Sequence, residues 1–368
     1  MALTRLIAQL ARLPSSSALR NWWTTIRRSA IPYVRALPWY QGAKLLCSGI
    51  FWSVWTACWW ALPSTAQVAG EPPAVREPIR PRLLASIPVG RIRYWELREQ
   101  TRGRLSFADG SVKEWQREVT YLLRLYAFSS REHDMTDVAC RVERLQYRFQ
   151  QDTVVVEFDS QAPEKLRRRH PDLEYISAVL AAELEILFSS YGDIAHIRGE
   201  QLEWLRLYLR DELGEKSPEL PAKLAAVSDG RWALLFDLHK GIVPGIRVRE
   251  DSIWQRVVTL WLEGIEWRDT ARVLISQTTD TTRILVGVLP ALVPLSSTAW
   301  LPNAGPSPVT ISDGKGHAQI TVELAPRGLI LRSQLHAHTE YTAAPTGGSP
   351  PFRQTVQTML TWRFVREE

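Results

Sequence analysis

Long stretches of the chain alternate apolar and polar residues with a period of two. Two such arms flank Ala108-Asp109-Gly110-Ser111. The pattern predicts a β-hairpin from Arg91–Phe107 and Val112–Ser129, because Asp-Gly readily supplies the positive φ of a tight turn. In Asp137–Gln150 the apolar phase is even at Val138, Cys140 and Val142, then odd at Leu145, Tyr147 and Phe149. A phase change within one strand implies a β-bulge, and bulges bend sheets. Thr153–Asp159 adds a short Val-rich strand. Near the other end, Ile253–Leu262, Ala271–Gln277 and Arg283–Leu289 read as strands, and Pro290–Pro308 reads as a loop. Asp313-Gly314-Lys315-Gly316 reads as a turn into the alternating Ala318, Ile320, Val322 and Leu324. Leu329–Tyr341 and Thr355–Val365 alternate in the same way around Thr342–Pro351.

The middle of the chain changes period. Leu173, Ile176, Leu180, Leu184, Leu187, Phe188 and Tyr191 recur at helical spacing, which predicts one helix over Pro171–Tyr191, stopped by Gly192. Asp193–Arg198 fits a short strand, and Gln201–Leu213 fits a helix closed by Gly214. Ser217-Pro218 opens a third helix, and Trp232–His239 forms a fourth. Two β blocks (91–159 and 253–366) around a helical middle (162–240) define an α+β class. Its body, 87–368, is a curved antiparallel sheet, half-barrel-like and in one or two halves, packed around central helices.

Composition changes this picture mainly at the front. The net charge is +6, yet seven of the basic residues fall within 1–66, where there is no Asp or Glu. The remainder therefore carries 38 basic and 39 acidic side chains, a net of −1. A nucleic-acid-binding body would hold the surplus on its own surface, so no nucleic-acid partner is expected. Leu45–Leu62 is uncharged over 18 residues. As a helix it would span about 27 Å, near the thickness of a hydrocarbon core. Basic residues before it and Ser64-Thr65-Ala66 after it make a hydrophobic leader helix. The leader acts either as a signal peptide cleaved after Ala66 or as a retained membrane anchor, with the body exported in both cases. Residues 1–40, Arg-rich, Ser-containing and acid-free, also fit an organelle transit peptide, and Trp55-Thr56-Ala57-Cys58 half resembles a lipoprotein box. Residues 67–86 hold four prolines and form an extended tether. Cys140 is the only cysteine of the body, so the body has no internal disulfide and depends on its core.

With the tether, Tyr94–Glu99, the Asp109-Gly110 hairpin, helices after Asp159, and Asp251-Ser252-Ile253-Trp254 opening the last sheet, the body resembles a family of uncharacterised secreted or lipid-anchored bacterial proteins. The long closing strands, Gly328–Tyr341 and Gln354–Arg366, belong to the same resemblance. The chain departs from the family pattern at Glu250 and Ile253, which stand where the family has Gly and no spacer. That family is similar in outline to half-barrel carriers of the lipoprotein-localisation and mycobacterial lipoglycoprotein type. The resemblance implies shelter for acyl chains and transfers no functional residue.

Candidate chemistry is sparse. His336 and His338 share one strand face with Glu340 but also with Arg332 and Gln334, the pattern of a solvated side. On a helix, Glu183 and Glu185 lie about 200° apart and cannot act jointly, and Asp237 with His239 meets the same objection. Lys165-Leu166-Arg167-Arg168-Arg169-His170 is the one basic run of the body and reads as a solvated turn. No phosphate loop, dinucleotide glycine pattern, nucleophile elbow or zinc-protease motif occurs, and no cofactor or metal is expected. The resulting expectation is an exported cell-envelope protein, a non-catalytic carrier for a lipid-like or other apolar ligand lined by Leu180, Leu184, Leu187 and Phe188. The alternatives are a structural or interaction protein without a small ligand, and an enzyme with unassigned residues.

Overall fold

The Asp109-Gly110 turn forms as its sequence dictates. Gly110 takes φ +82°, and the Asp109 carboxylate accepts hydrogen bonds from the Ser111 backbone N–H (2.9 Å) and hydroxyl (2.6 Å). It joins β1 (Ile92–Phe107) to β2 (Val112–Arg131) in a computed structural model. The structure describes residues 88–368 apart from 132–134, 163–170, 190–193, 218, 238–240, 245–247, 249–251, 302–307 and 326–327. The leader, the tether and the basic run at 165–170 lie outside the described residues.

The remaining strands follow in chain order. They are β3 (Met135–Gln151), β4 (Val154–Asp159), β5 (Glu183–Phe188), β6 (Ile194–Arg198), β7 (Ile253–Leu262), β8 (Ile265–Thr278) and β9 (Arg283–Pro294). Then come β10 (Thr298–Ala299), β11 (Val309–Leu324), β12 (Ile330–Pro345) and β13 (Phe352–Glu367). All join one antiparallel sheet in the order β6-β5-β3-β2-β1-β13-β12-β11-β9-β8-β7, with β4 added to β3 and β10 to β11. The two β blocks are therefore halves of one continuous sheet, spliced where β1 pairs β13 from Arg93↔Glu367 to Phe107↔Phe352. The bulge expected in β3 is present. Leu122 pairs Arg144 while Leu123 pairs Val142, which leaves Glu143 as the extra residue.

Among the described residues four α-helices accompany the sheet: α1 (Pro171–Ile176), α2 (Glu200–Leu213), α3 (Leu220–Ala226) and α4 (Asp229–Phe236). The single helix expected over Pro171–Tyr191 is corrected. α1 passes into a 3-10 turn at Ser177–Ala181, Ala182 is extended, and the chain continues as β5. Glu183-Leu184-Glu185-Ile186-Leu187-Phe188 also alternates with period two, and pairing with Thr136–Arg141 of β3 overrides the helical spacing. α3 starts later than Ser217-Pro218 suggested: Ser217 Oγ accepts from the Glu219 N–H, and a proline occupies the first turn of the helix itself. α4 is capped by Ser228, whose hydroxyl accepts from the Arg231 N–H at 3.2 Å.

Two further boundaries differ. β8 begins at Ile265, not Ala271, because Glu263 (φ +51°) and Gly264 (φ +80°) make a two-residue turn with both φ values positive. Asp313-Gly314 lies inside β11 as a bulge, not a turn, with the register shifting between Ser312 and Lys315. The missing Gly314 side chain admits the Pro294 ring, since a Cβ there would lie 2.6 Å from Pro294 Cγ.

Alternation sorts the sheet into two faces. Trp95, Leu97, Leu105, Trp115, Val119, Tyr121, Leu123, Tyr341, Val356, Leu360 and Trp362 are buried on the inner face. The outer face carries Glu96, Arg98, Gln100, Arg102 and Arg104 on β1 alone. On β1 this polarity is opposite to that of a transmembrane barrel strand, whose outer band is apolar and where a midplane Arg costs about 2–4 kcal/mol.

Inner packing leaves no room at Gly103, where the Trp115 indole lies so close that a Cβ would meet it at 2.2 Å. That indole stacks on Phe149 with ring centroids 6.3 Å apart. Gly103→Ala is expected to displace the indole and destabilise the fold by about 1–3 kcal/mol, the usual overpacking cost. Urea denaturation followed by tryptophan emission checks this, and an unchanged midpoint would contradict it.

Candidate functional site

β6 and β7 end the sheet on opposite sides, yet both pack against α4. An eight-residue helix is about 12 Å long, so the sheet must roll far enough to bring its two ends to one short rod. α4 buries Trp232, Leu235 and Phe236. Trp232 stacks on Phe236 at 5.8 Å, and Phe236 meets Trp362 of the central strand β13 edge-on at 6.1 Å. α4 therefore sits on the inner face and bridges the seam between the edges. Trp254 Nε1 and Arg256 Nε of β7 donate to the carbonyls of Ile242 and Gly241, which ties the chain after α4 to the same edge.

The same interior encloses a charged cluster. Arg117 of β2 donates to Asp172 of α1 at 2.8 Å and to Glu263 of the β7–β8 turn, and it also pairs with Glu99 of β1. Arg117, Asp172 and Glu263 are 9%, 3% and 7% exposed, so water screens these charges little. Arg231, stacked over Trp232 at 5.0 Å, is the second cation of the neighbourhood, and the charges of Glu99 and Asp172 act on it. Three carboxylates face two guanidinium groups, and protonating one carboxylate restores neutrality. Burial, reinforced by Glu99 and Asp172 and opposed by Arg117, pushes Glu263 up to about 7. Burial likewise raises the hydroxyls of Tyr121, Tyr147 and Tyr341 beyond their ordinary range. The cluster binds four segments together.

The residues nominated from sequence scatter over both faces. Leu184 and Phe188 are buried on the inner side of β5, Leu180 is half-buried in the 3-10 turn, and Leu187 is turned to the outer side. Glu183 and Glu185 share the outer face of β5 and are not 200° apart, since the segment is a strand; Glu185 pairs with Arg198. His336 and His338 face outward on β12, where they floor a trough of about 850 Å³. Asp237 ends α4, and His239 lies outside the described residues. Cys140 is buried, with its thiol pushed up to about 12 by desolvation, which makes it inert. Sequence reasoning missed Glu99 and Arg117, although both are charged residues in the apolar phase of hairpin strands. Asp172 and Glu263 carried no comparable signal.

No family model and no curated protein matches this chain. Among solved structures, a lipovitellin studied for its lipid–protein interactions is similar over 77% of this chain, at 8% identity and a TM-score of 0.39. The chain matches about a quarter of lipovitellin, 26% of its length. An outer membrane channel from Pseudomonas putida F1 is similar at 7% identity over 76% of this chain and 97% of that one, with a TM-score of 0.25. A LolA superfamily protein from Nitrosomonas europaea is similar at 7% identity over 72% of this chain and 84% of that one, with a TM-score of 0.12. At scores this low, nothing about those proteins' ligands transfers to this chain.

Glu263 makes stability depend on pH. Its folded value lies above the ordinary 4.5, so its contribution is complete below about pH 4.5 and is lost as pH rises through about 7. Between about pH 5 and pH 8 the urea midpoint is expected to fall in the native chain. Glu263→Gln should remove that part of the slope; an equal slope in both proteins would refute the assignment. Arg117→Leu strands three carboxylates and should cost about 3–5 kcal/mol.

Proposed function

We propose that this chain is a non-catalytic binding module that takes an apolar, lipid-like ligand along the inner face of its rolled sheet. The observation that carries this reading is the bridging of the seam by α4. A helix of eight residues has negligible stability on its own, so α4 is held in place only by what it packs against. The surface beneath it is aromatic and aliphatic, and an acyl chain can replace its contacts with Trp362 at little net cost. Leu184 and Phe188 lie on β5, one strand from the seam, with Leu180 in the turn before it, and in this reading they would line the entry route. Leu187 stands on the outer lip. Export by the leader over 45–62, with cleavage after Ala66 or retention as an anchor, would place the body beside a lipid source.

A second reading, an interaction protein without a small ligand, is favoured by one feature of the outer face. Ile253 and Val257 of β7 are 70% and 66% exposed, beside the exposed Leu274 and Val288.

Titrating the full-length chain with cis-parinaric acid separates these readings. Saturable uptake near one equivalent is expected, and Phe236→Leu, which thins the plug, should tighten it several-fold. No saturable uptake by either protein would exclude the carrier reading and leave the interaction reading standing.

A further inference from the structure

The trough on the outer face is independent of the inner ligand site and has its own chemistry. Strand register arranges its floor as two rows that run across the strands. One row is Arg148, Glu118, Gln100, Met359, His336, Gln319 and Val288, on β3, β2, β1, β13, β12, β11 and β9. The other is Gln116, Arg102, Gln357, His338 and His317. All twelve residues line the cavity. Seven strands at about 4.8 Å spacing make a channel about 29 Å long, perpendicular to the strands. Sheet twist gives both faces a saddle shape, so the outer face is concave along one diagonal. The register shift between Gly316 and Ala318, opposite β9, bends that end of the channel further.

Its polar groups point to a ligand class. Three side-chain amides, Gln100, Gln319 and Gln357, each offer a donor pair and an acceptor, and a fourth, Gln116, donates to Gln150 at 2.9 Å and keeps its acceptor, which suits vicinal hydroxyl groups. Glu118 is held by Arg98 at 2.5 Å, and Arg148 lies 3.6 Å from Glu157. Arg102, between Gln116 and Gln357, makes no ion pair among the described residues and is exposed at the centre of the floor. The lining contains no Phe, Tyr or Trp ring on which nucleobases would stack. No group of metal ligands occurs among the described residues.

We propose that this trough binds a linear acidic polysaccharide laid across the strands, its carboxylates met by Arg102 and the histidines and its hydroxyls by the glutamine amides. His338 gives the site a pH response. Its ring lies 5.3 Å from His317, and burial together with His317 lowers its pKa below the usual imidazole value. The other charged or titratable groups facing it are His336 and Glu340 on its own strand, Lys315 diagonally on β11, and Arg102 beyond Gln357 on β13. Glu340 is already paired with Arg353. Protonated His338 would therefore add a cation beside Arg102, and an anionic chain would bind more tightly as pH falls.

Isothermal titration of the full-length chain with a hexagalacturonate, at about pH 5.5 and about pH 8, tests the site. Saturable binding is expected at the lower pH and should be roughly fivefold weaker or more at the higher one. Arg102→Gln should weaken binding about tenfold at both pH values. His338→Gln should abolish the pH difference. Neither substitution touches the core, and an unchanged urea midpoint would verify that each variant is folded. No binding at the lower pH, equal binding of neutral maltohexaose, preference for inorganic polyphosphate, or indifference to Arg102→Gln would each overturn the proposal.

Discussion

The fold depends on a single buried cation. Arg117 holds Glu99, Asp172 and Glu263 at once, and these four residues come from the first hairpin, the first helix and the turn that opens the second half of the sheet. Each pair alone would be a poor bargain inside a protein, since desolvation consumes most of the Coulomb attraction. Together they fix geometry, because the guanidinium is a rigid fork and its partners must arrive from set directions. Roll closure is one consequence. The β7–β8 turn sits far from β2 in strand order, and only strong curvature brings Glu263 to Arg117. The strained Glu263 φ of +51° is another, for a side chain on that turn must point inward to reach the cluster.

Legibility in the sequence followed the range of the interactions. The Asp109-Gly110 hairpin and the bulge at Glu143 are local, and their signals stand in adjacent residues. Failures came where two periods overlapped or where distant chain decided. Residues 183–188 satisfy both helical and strand spacing, and only the partner strand β3 selects between them. Asp313-Gly314 carries the same letters as a hairpin turn, but the Pro294 ring filling the glycine's space makes it a bulge within a strand. Glu263-Gly264 carries a weak signal for a two-residue turn, because Glu is an unusual first member of the pair. Arg117 and Glu99 were visible in principle. In β1 and β2 Leu97, Trp115, Val119 and Tyr121 share the phase of Glu99 and Arg117, so opposite charges among them announce a buried pair. Asp172 and Glu263 lay beyond any local pattern.

The sheet presents opposite chemistries on its two faces, and one set of strands serves both. Thr101 and Arg117 face inward toward the cluster, while their immediate neighbours Gln100, Arg102, Gln116 and Glu118 face outward into the trough. The floor of the outer site is thus the reverse side of the buried cluster, separated from it by one backbone thickness. Arg231 extends the connection inward. It stacks on Trp232 of the plug helix, and its charge is felt by the groups around Arg117. Arg231 thereby offsets part of the surplus negative charge around Arg117, and burial raises the Glu263 carboxyl to relieve the rest. The two faces therefore share one backbone, and the strands that bring Glu99 and Arg117 to the cluster also carry Gln100, Arg102, Gln116 and Glu118 to the other side.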